Sequence, residues 1–202
     1  MSGQSRRAFT LGVTGLWVGL TLDACSSPGP APSPYSGDLR TVALAAALEN
    51  QAASAYRAVD AALRAGKFGK AIPALAAFVQ TATAHHVRHA AIWNAILQDA
   101  HKPTITGTPL SGNAQLMSAI GAASDVDAIV SAVQRLEIQA AQTYTAAAGS
   151  LKGLGPAVSA AATIAPVEAM HAAALGYLVS GRSAVVSLLD TGGALSTKTL
   201  TA

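Results

Sequence analysis

The chain has 202 residues and a formal net charge of +3, with 51% hydrophobic and only 11% charged residues. One domain of this length can bury a sizeable core, and its singly scattered basic residues give no support to nucleic-acid binding. The single cysteine excludes an intramolecular disulfide. Because alanine is abundant, closely packed helices are favoured over a sheet, and we predict an all-α protein.

The N-terminus, residues 1–25, is predicted to be an export signal. Residues 5–11, with two consecutive arginines, resemble the twin-arginine signature, and the apolar stretch that follows is shorter than the roughly 20 residues that span a bilayer. The sequence Leu-Asp-Ala-Cys at 22–25 resembles a lipobox, in which Cys25 would be lipidated. Asp23 departs from the small or apolar residue usual there. There are two alternatives to lipidation. The signal segment could be cleaved nearby and the protein released, or the segment could stay uncleaved as a membrane anchor.

We therefore predict a lipoprotein anchored by lipid to the outer face of the cytoplasmic membrane, with a secreted or periplasmic protein as the alternative. Residues 26–37 contain four prolines and form a predicted tether without a core of its own. The folded domain is expected over residues 38–181. Residues 182–202 would be a C-terminal tail, with an apolar patch at 184–189.

Four long helices are predicted from apolar periodicity and from helix breakers. They cover residues 38–64, about 71–101, about 125–150 and about 155–180. Two helical hairpins result. The connection between them, residues 103–123, is long enough to run the length of a helix of about 45 Å, and it is predicted to carry a short helix at 113–120.

Only three glutamates occur in the chain, and each lies in an apolar helical stretch: Glu49, Glu137 and Glu168. Residues three, four and seven positions away share a helical face with the glutamate, and around Glu49 and Glu137 these neighbours are almost all apolar. A carboxylate in such a setting needs a partner, because an uncompensated buried charge is too costly. A metal ion would supply one.

The two hairpins also repeat each other in sequence. Residues 48–56 align with residues 136–144 and share Leu, Glu, Gln, two Ala and Tyr. In the second helix of each hairpin, His86-x-x-His89 aligns with Glu168-x-x-His171. Residues three apart point the same way on a helix, so each pair can aim two ligands at one point in the core.

This pattern resembles the ferritin-like di-iron carboxylate family, which has one glutamate on each of two helices and Glu-x-x-His on each of the other two. The resemblance implies a ferritin-like four-helix bundle with a long crossover. It implies these metal ligands: Glu49, His86, His89, Glu137, Glu168 and His171. His86 stands where the family has a glutamate that often bridges two metals, and His85 is an alternative ligand. Tyr56 and Tyr144 would lie in a second layer around the ligands.

The resemblance implies iron as the cofactor, two ions if the site is dinuclear, although manganese, zinc and copper accept the same ligands. Three functions stay open. The first is a ferroxidase- or peroxidase-like oxidoreductase acting on Fe(II), oxygen or peroxide. The second is a non-catalytic metal-binding or stress-related lipoprotein, and the third is a structural bundle with a degenerate metal site. A lipidated N-terminus would hinder a closed cage, so a monomer or dimer is expected.

Overall fold

The computed structural model describes residues 32–70, 72–180 and 190–202. The predicted export signal, including Cys25, lies outside these residues. So do residues 26–31 of the predicted tether and the apolar patch at 184–189.

The named secondary-structure elements of the described residues are all helices, and a single antiparallel bridge between Leu110 and Leu200 is their only β-type pairing. This confirms the predicted all-α class. The bounds agree with those predicted to within a few residues, which is the usual uncertainty of a helix end. The elements are α1 (Asp38–Arg64), α2 (Pro73–Asp99), α3 (Asn113–Ala122), α4 (Val126–Ser150), α5 (Gly155–Ser180) and one turn of 3₁₀ helix (Thr197–Thr199).

Local sequence signals explain where the helices begin and end. Pro73 opens α2, where its missing N–H is not needed, and the Asp125 side chain caps α4 by accepting a hydrogen bond from the Ala128 N–H at 2.8 Å. His101 follows α2 in the left-handed conformation, with φ 54°, and the next N–H, that of Lys102, bonds back to the Leu97 carbonyl at 2.8 Å.

The helices pack as two hairpins joined by a long crossover. α1 packs on α2 and α4 packs on α5; across the bundle α1 faces α4 and α2 faces α5, while α3 lies against α1 and α4. Two asparagines fasten the crossover to the first hairpin. Asn50 Nδ2 donates to the carbonyls of Ile105 and Gly107 at 2.9 and 3.0 Å, and the Asn94 carboxamide bonds both backbone polar groups of Ile105. The predicted crossover topology is confirmed.

Two apolar clusters with a polar layer between them form the core. On α1 the first cluster ends at Leu48, the second begins at Ala52, and Glu49 lies between them. The same division recurs on the other three long helices. The polar layer consists of Glu49, His86, His89, Glu137, Glu168 and His171. Its charged groups therefore have hydrocarbon on both sides along the bundle axis.

Among the described helices, one is long and apolar enough to cross a membrane by length and composition. This is the stretch Gly155–Leu178 of α5, with a mean hydropathy of 1.3. The same helix packs against α4 and carries Glu168 and His171 into the polar layer. Its apolar character fits the core helix of a bundle.

The C-terminal residues 190–202 pack back on the bundle. Leu200 is only 3% exposed and pairs with Leu110 of the crossover, with backbone hydrogen bonds Ser111 N–H to Thr199 O at 3.1 Å and Thr201 N–H to Pro109 O at 2.9 Å. Leu200 therefore belongs to the first apolar cluster.

We expect Leu200→Ala to lower the free energy of unfolding by about 2 kcal/mol, because it removes buried methyl groups and leaves a cavity. Urea denaturation followed by far-ultraviolet circular dichroism measures the change. Leu178→Ala is the matched control, since Leu178 is 38% exposed and its loss should cost less than about 0.5 kcal/mol. Equal losses in the two variants would show that the tail does not stabilise the bundle.

Candidate metal centre

All six residues predicted as metal ligands meet in the polar layer. Each is at most 8% exposed, and Glu49, Glu137, Glu168 and His86 are at most 1% exposed. α1 and α4 contribute one glutamate each, α2 contributes two histidines, and α5 contributes a glutamate and a histidine.

The potential ligand atoms form two overlapping groups. We call them the Glu49 group (Glu49, His86, His89, Glu168) and the Glu137 group (His86, Glu137, Glu168, His171). Within each group the ligand atoms lie within 4.8 Å of one another. His86 and Glu168 belong to both groups, so the two groups meet at one imidazole and one carboxylate.

The His86 ring lies between two carboxylates. Its Nδ1 is 2.8 Å from Glu49 Oε2, and its Nε2 is 3.1 Å from Glu137 Oε1. Burial lowers the pKa of His86, but the negative charges of Glu137 and Glu168 outweigh this and raise the pKa well above its usual value. Without metal the ring is therefore a cation that donates from both nitrogens.

The other two histidines share Glu168. His89 Nδ1 is 2.8 Å from Glu168 Oε1, and His171 Nδ1 is 3.2 Å from Glu168 Oε2. Burial lowers the pKa of each histidine, but hydrogen bonds to Glu168 and to a second glutamate raise it to about 9. Protons on imidazoles therefore balance the carboxylates of the metal-free layer.

The pKa values of the three carboxyl groups are shifted in different directions within the layer. Burial raises the pKa of Glu49 and of Glu137, but the adjacent imidazoles outweigh it and lower both below the usual value. For Glu168, burial and the negative charge of Glu49 keep the pKa raised. Glu168 therefore has the least stable negative charge of the three when no cation is added.

The donor set fits a transition metal. Glu49 Oε1 and Glu137 Oε2 are buried and have no hydrogen-bond partner among the described residues. An unsatisfied buried acceptor is costly, and a cation would satisfy both oxygens. Carboxylate oxygen together with imidazole nitrogen suits iron, manganese, zinc and copper.

His85 lies beside the layer, outside both groups. Its Nδ1 is 3.0 Å from Nε2 of His171, and the two rings stack with centroids 5.3 Å apart. Nε2 of His171 is thus occupied, and its Nδ1 is the nitrogen that faces the carboxylates. The role of His85 as an alternative ligand stays a prediction.

The two tyrosines flank the layer on opposite sides. The Tyr56 hydroxyl donates a hydrogen bond to Glu137 Oε1, and its ring stacks on His86 with centroids 5.4 Å apart. Tyr144 contacts Trp93, at 5.6 Å between ring centroids, and its hydroxyl lies 3.4 Å from the Ala45 carbonyl. Burial raises the pKa of both tyrosines, and nearby glutamates raise it further, so both stay protonated.

Sequence reasoning misses one neighbour of the centre, Phe78. Its ring meets His171 edge-on at 5.7 Å and Tyr56 at 6.0 Å, and so covers the layer from α2. Its position two helical turns before His85 and His86 is the signal that could have identified it.

A family model described as a ferritin-like domain matches residues 32–181. The chain belongs to the ferritin-like family. No curated protein and no solved structure matches it. The predicted family is thereby confirmed, and the ferritin-like match spans all four helices that line the polar layer. The export signal lies outside the matched residues and stays a prediction.

The metal-free ferritin-like domain should lose stability at alkaline pH. The folded-state pKa of His89 and of His171, about 9, is raised above the unfolded value of about 6.5. Their contribution is therefore complete below about pH 6.5 and is lost as the pH rises through 9. We expect the free energy of unfolding, measured with urea and a chelator, to fall by on the order of 1 to 3 kcal/mol over this range. A flat profile would contradict the protonated network.

Proposed function

We propose that this ferritin-like protein binds iron in the polar layer and uses it in redox chemistry with Fe(II), oxygen or peroxide. One observation supports the proposal above the others. Six carboxylate and imidazole groups converge from four helices between two apolar clusters, and two of the buried carboxylate oxygens lack a partner. A layer that served packing alone would gain nothing from the unpaired oxygens.

The glutamates and the inward nitrogens of the histidines would supply the ligands, and bound iron would supply one-electron redox chemistry. The side chains of His89 and His171 are 10% and 6% exposed, whereas those of Glu49 and Glu137 are at most 1% exposed. Ions would therefore approach along the α2 and α5 side. Binding would release the proton from each imidazole nitrogen that ligates the ion.

The apolar clusters on both sides would keep bulk water from the layer and strengthen the interactions within it. Iron is proposed over the alternatives because the chain belongs to the ferritin-like family and because its donors are three carboxylates and three imidazoles, with no thiolate among the described residues. Manganese, zinc and copper remain the competitors, since geometry rather than ligand type separates them.

The test uses the full chain loaded anaerobically with Fe(II) and desalted. Elemental analysis gives retained iron, and stopped-flow absorption follows the sample after mixing with oxygenated buffer or peroxide. Retained iron that is oxidised and supports repeated consumption of Fe(II) and oxidant is the expected result. Iron that is retained but does not turn over would favour the non-catalytic metal-binding role. No retained metal of any kind would contradict the proposal.

A structural bundle is the second candidate, and one observation favours it. The His86 ring already pairs Glu49 with Glu137 at 2.8 and 3.1 Å, so the layer is partly balanced without a metal. In that case, adding Fe(II) would leave the thermal unfolding midpoint unchanged. A protein that binds iron should instead show a higher midpoint, because the ligand stabilises the folded state.

We further propose that the protein is exported and anchored by lipid at Cys25, as a monomer or dimer. The twin-arginine-like residues 5–11 and the lipobox-like residues 22–25 support this. Labelled fatty acid should be incorporated in cells that express the full chain, and Cys25→Ala should abolish the label. Label that persists in the variant would contradict lipidation at this residue.

A further inference from the structure

We propose that the centre holds one metal ion per chain, because His86 ligates through one ring nitrogen and donates its other N–H to the glutamate on the opposite side. This inference rests on the proposed metal-binding function. It concerns the number of ions that the layer accepts, which the ferritin-like match does not determine.

The His86 ring lies with one nitrogen in each ligand group. Nδ1 of His86 faces Glu49 Oε2 at 2.8 Å, and Nε2 faces Glu137 Oε1 at 3.1 Å, so the two nitrogens point into different groups. The ring is fully buried and stacked against Tyr56, which itself bonds to Glu137. It has no free side on which to turn away from either carboxylate.

A neutral imidazole has one lone pair for a metal and one N–H. Histidines that bind metals commonly donate this second N–H to a carboxylate, which orients the ring. If the Glu49 group takes the ion through Nδ1, the Nε2 N–H is directed at Glu137; if the Glu137 group takes it, the Nδ1 N–H is directed at Glu49.

The remaining N–H of His86 therefore points into the second ligand group. A second ion there would need a lone pair at that nitrogen and would meet a proton instead. A glutamate at this position would offer one oxygen to each ion and no proton.

The experiment is an anaerobic titration of the full chain with Co(II), followed by optical absorption, together with electron paramagnetic resonance of the Mn(II)-loaded chain. We expect the wild-type titration to end at one equivalent and the Mn(II) spectrum to be that of an isolated ion. His86→Glu restores the Glu-x-x-His pattern on α2, and its end point should double to two equivalents, with a spin-coupled Mn(II) pair. His101→Glu, the same replacement at an exposed position just after α2, should stay at one.

Each other result has a distinct meaning. Two equivalents or a coupled Mn(II) pair in the wild type would overturn the inference and leave metal binding intact. An end point of one in folded His86→Glu would overturn the role given to His86. If His86→Glu does not fold, the wild-type end point and spectrum still decide between one ion and two. No binding in the wild type would instead overturn the proposed function.

Discussion

Glu168→Ala is expected to remove metal binding, reducing the retained metal from one ion per chain to none. Glu168 is the one carboxylate that belongs to both ligand groups, and its two oxygens lie 2.8 and 3.2 Å from the inward nitrogens of His89 and His171. Its loss leaves neither group with more than one carboxylate. The affinity for Co(II) or Fe(II) should fall more than about 100-fold, since even residues behind the ligands contribute 10- to 100-fold.

The variant should still fold, because removing Glu168 relieves its repulsion with Glu49, and His89 and His171 keep Glu49 and Glu137 as neighbours at 3.6 and 3.5 Å. Helical content by circular dichroism checks this. Asp99→Ala, which removes an exposed carboxylate at the end of α2, is the matched control and should keep the wild-type metal content. Undiminished metal in folded Glu168→Ala would show that the ion lies elsewhere.

His86→Leu is expected to destabilise the metal-free chain by about 3 to 5 kcal/mol at pH 7.5. The substitution keeps a comparable volume but removes the cation that balances two fully buried carboxylates, Glu49 and Glu137, and breaking one partner of a buried ion pair has this effect. Urea denaturation in the presence of a chelator gives the difference in free energy of unfolding.

His101→Leu is the control, since His101 is exposed and lies outside the layer. Below about pH 4 the His86→Leu deficit should shrink, because the unpaired carboxyl groups become neutral. A variant as stable as the control at pH 7.5 would mean that Glu49 and Glu137 do not depend on His86.

The helices and the six residues of the polar layer could be predicted from sequence for identifiable reasons. Pro73 and the Gly155-Pro156 pair interrupt the apolar periodicity at helix starts, so the boundaries are explicit. Glutamate occurs only three times in this chain, each time in an apolar stretch, so each glutamate is a clear candidate for a buried ligand. The repeat between the two hairpins then supplied the matching histidines.

Other features depend on distant partners and could not be predicted. Leu200 lies in a polar segment without periodicity, and only the folded crossover shows that it pairs with Leu110. The contact of His85 with His171 depends on which way a side chain turns between adjacent helices. The overlap of the two ligand groups at His86 likewise required coordinates, because sequence spacing does not show which ring nitrogen faces which carboxylate.

The position of the polar layer also affects how the helices find their alignment during folding. Alanine-rich surfaces are nearly uniform, and two such helices could slide past each other by a turn with little change in contact. Sliding α1 by one turn would move Glu49 out of reach of His86 and place it against hydrocarbon, at a cost of several kcal/mol. The charged groups that would bind a metal would thus also fix how the helices align along the bundle axis. Apolar packing alone would tolerate several alignments.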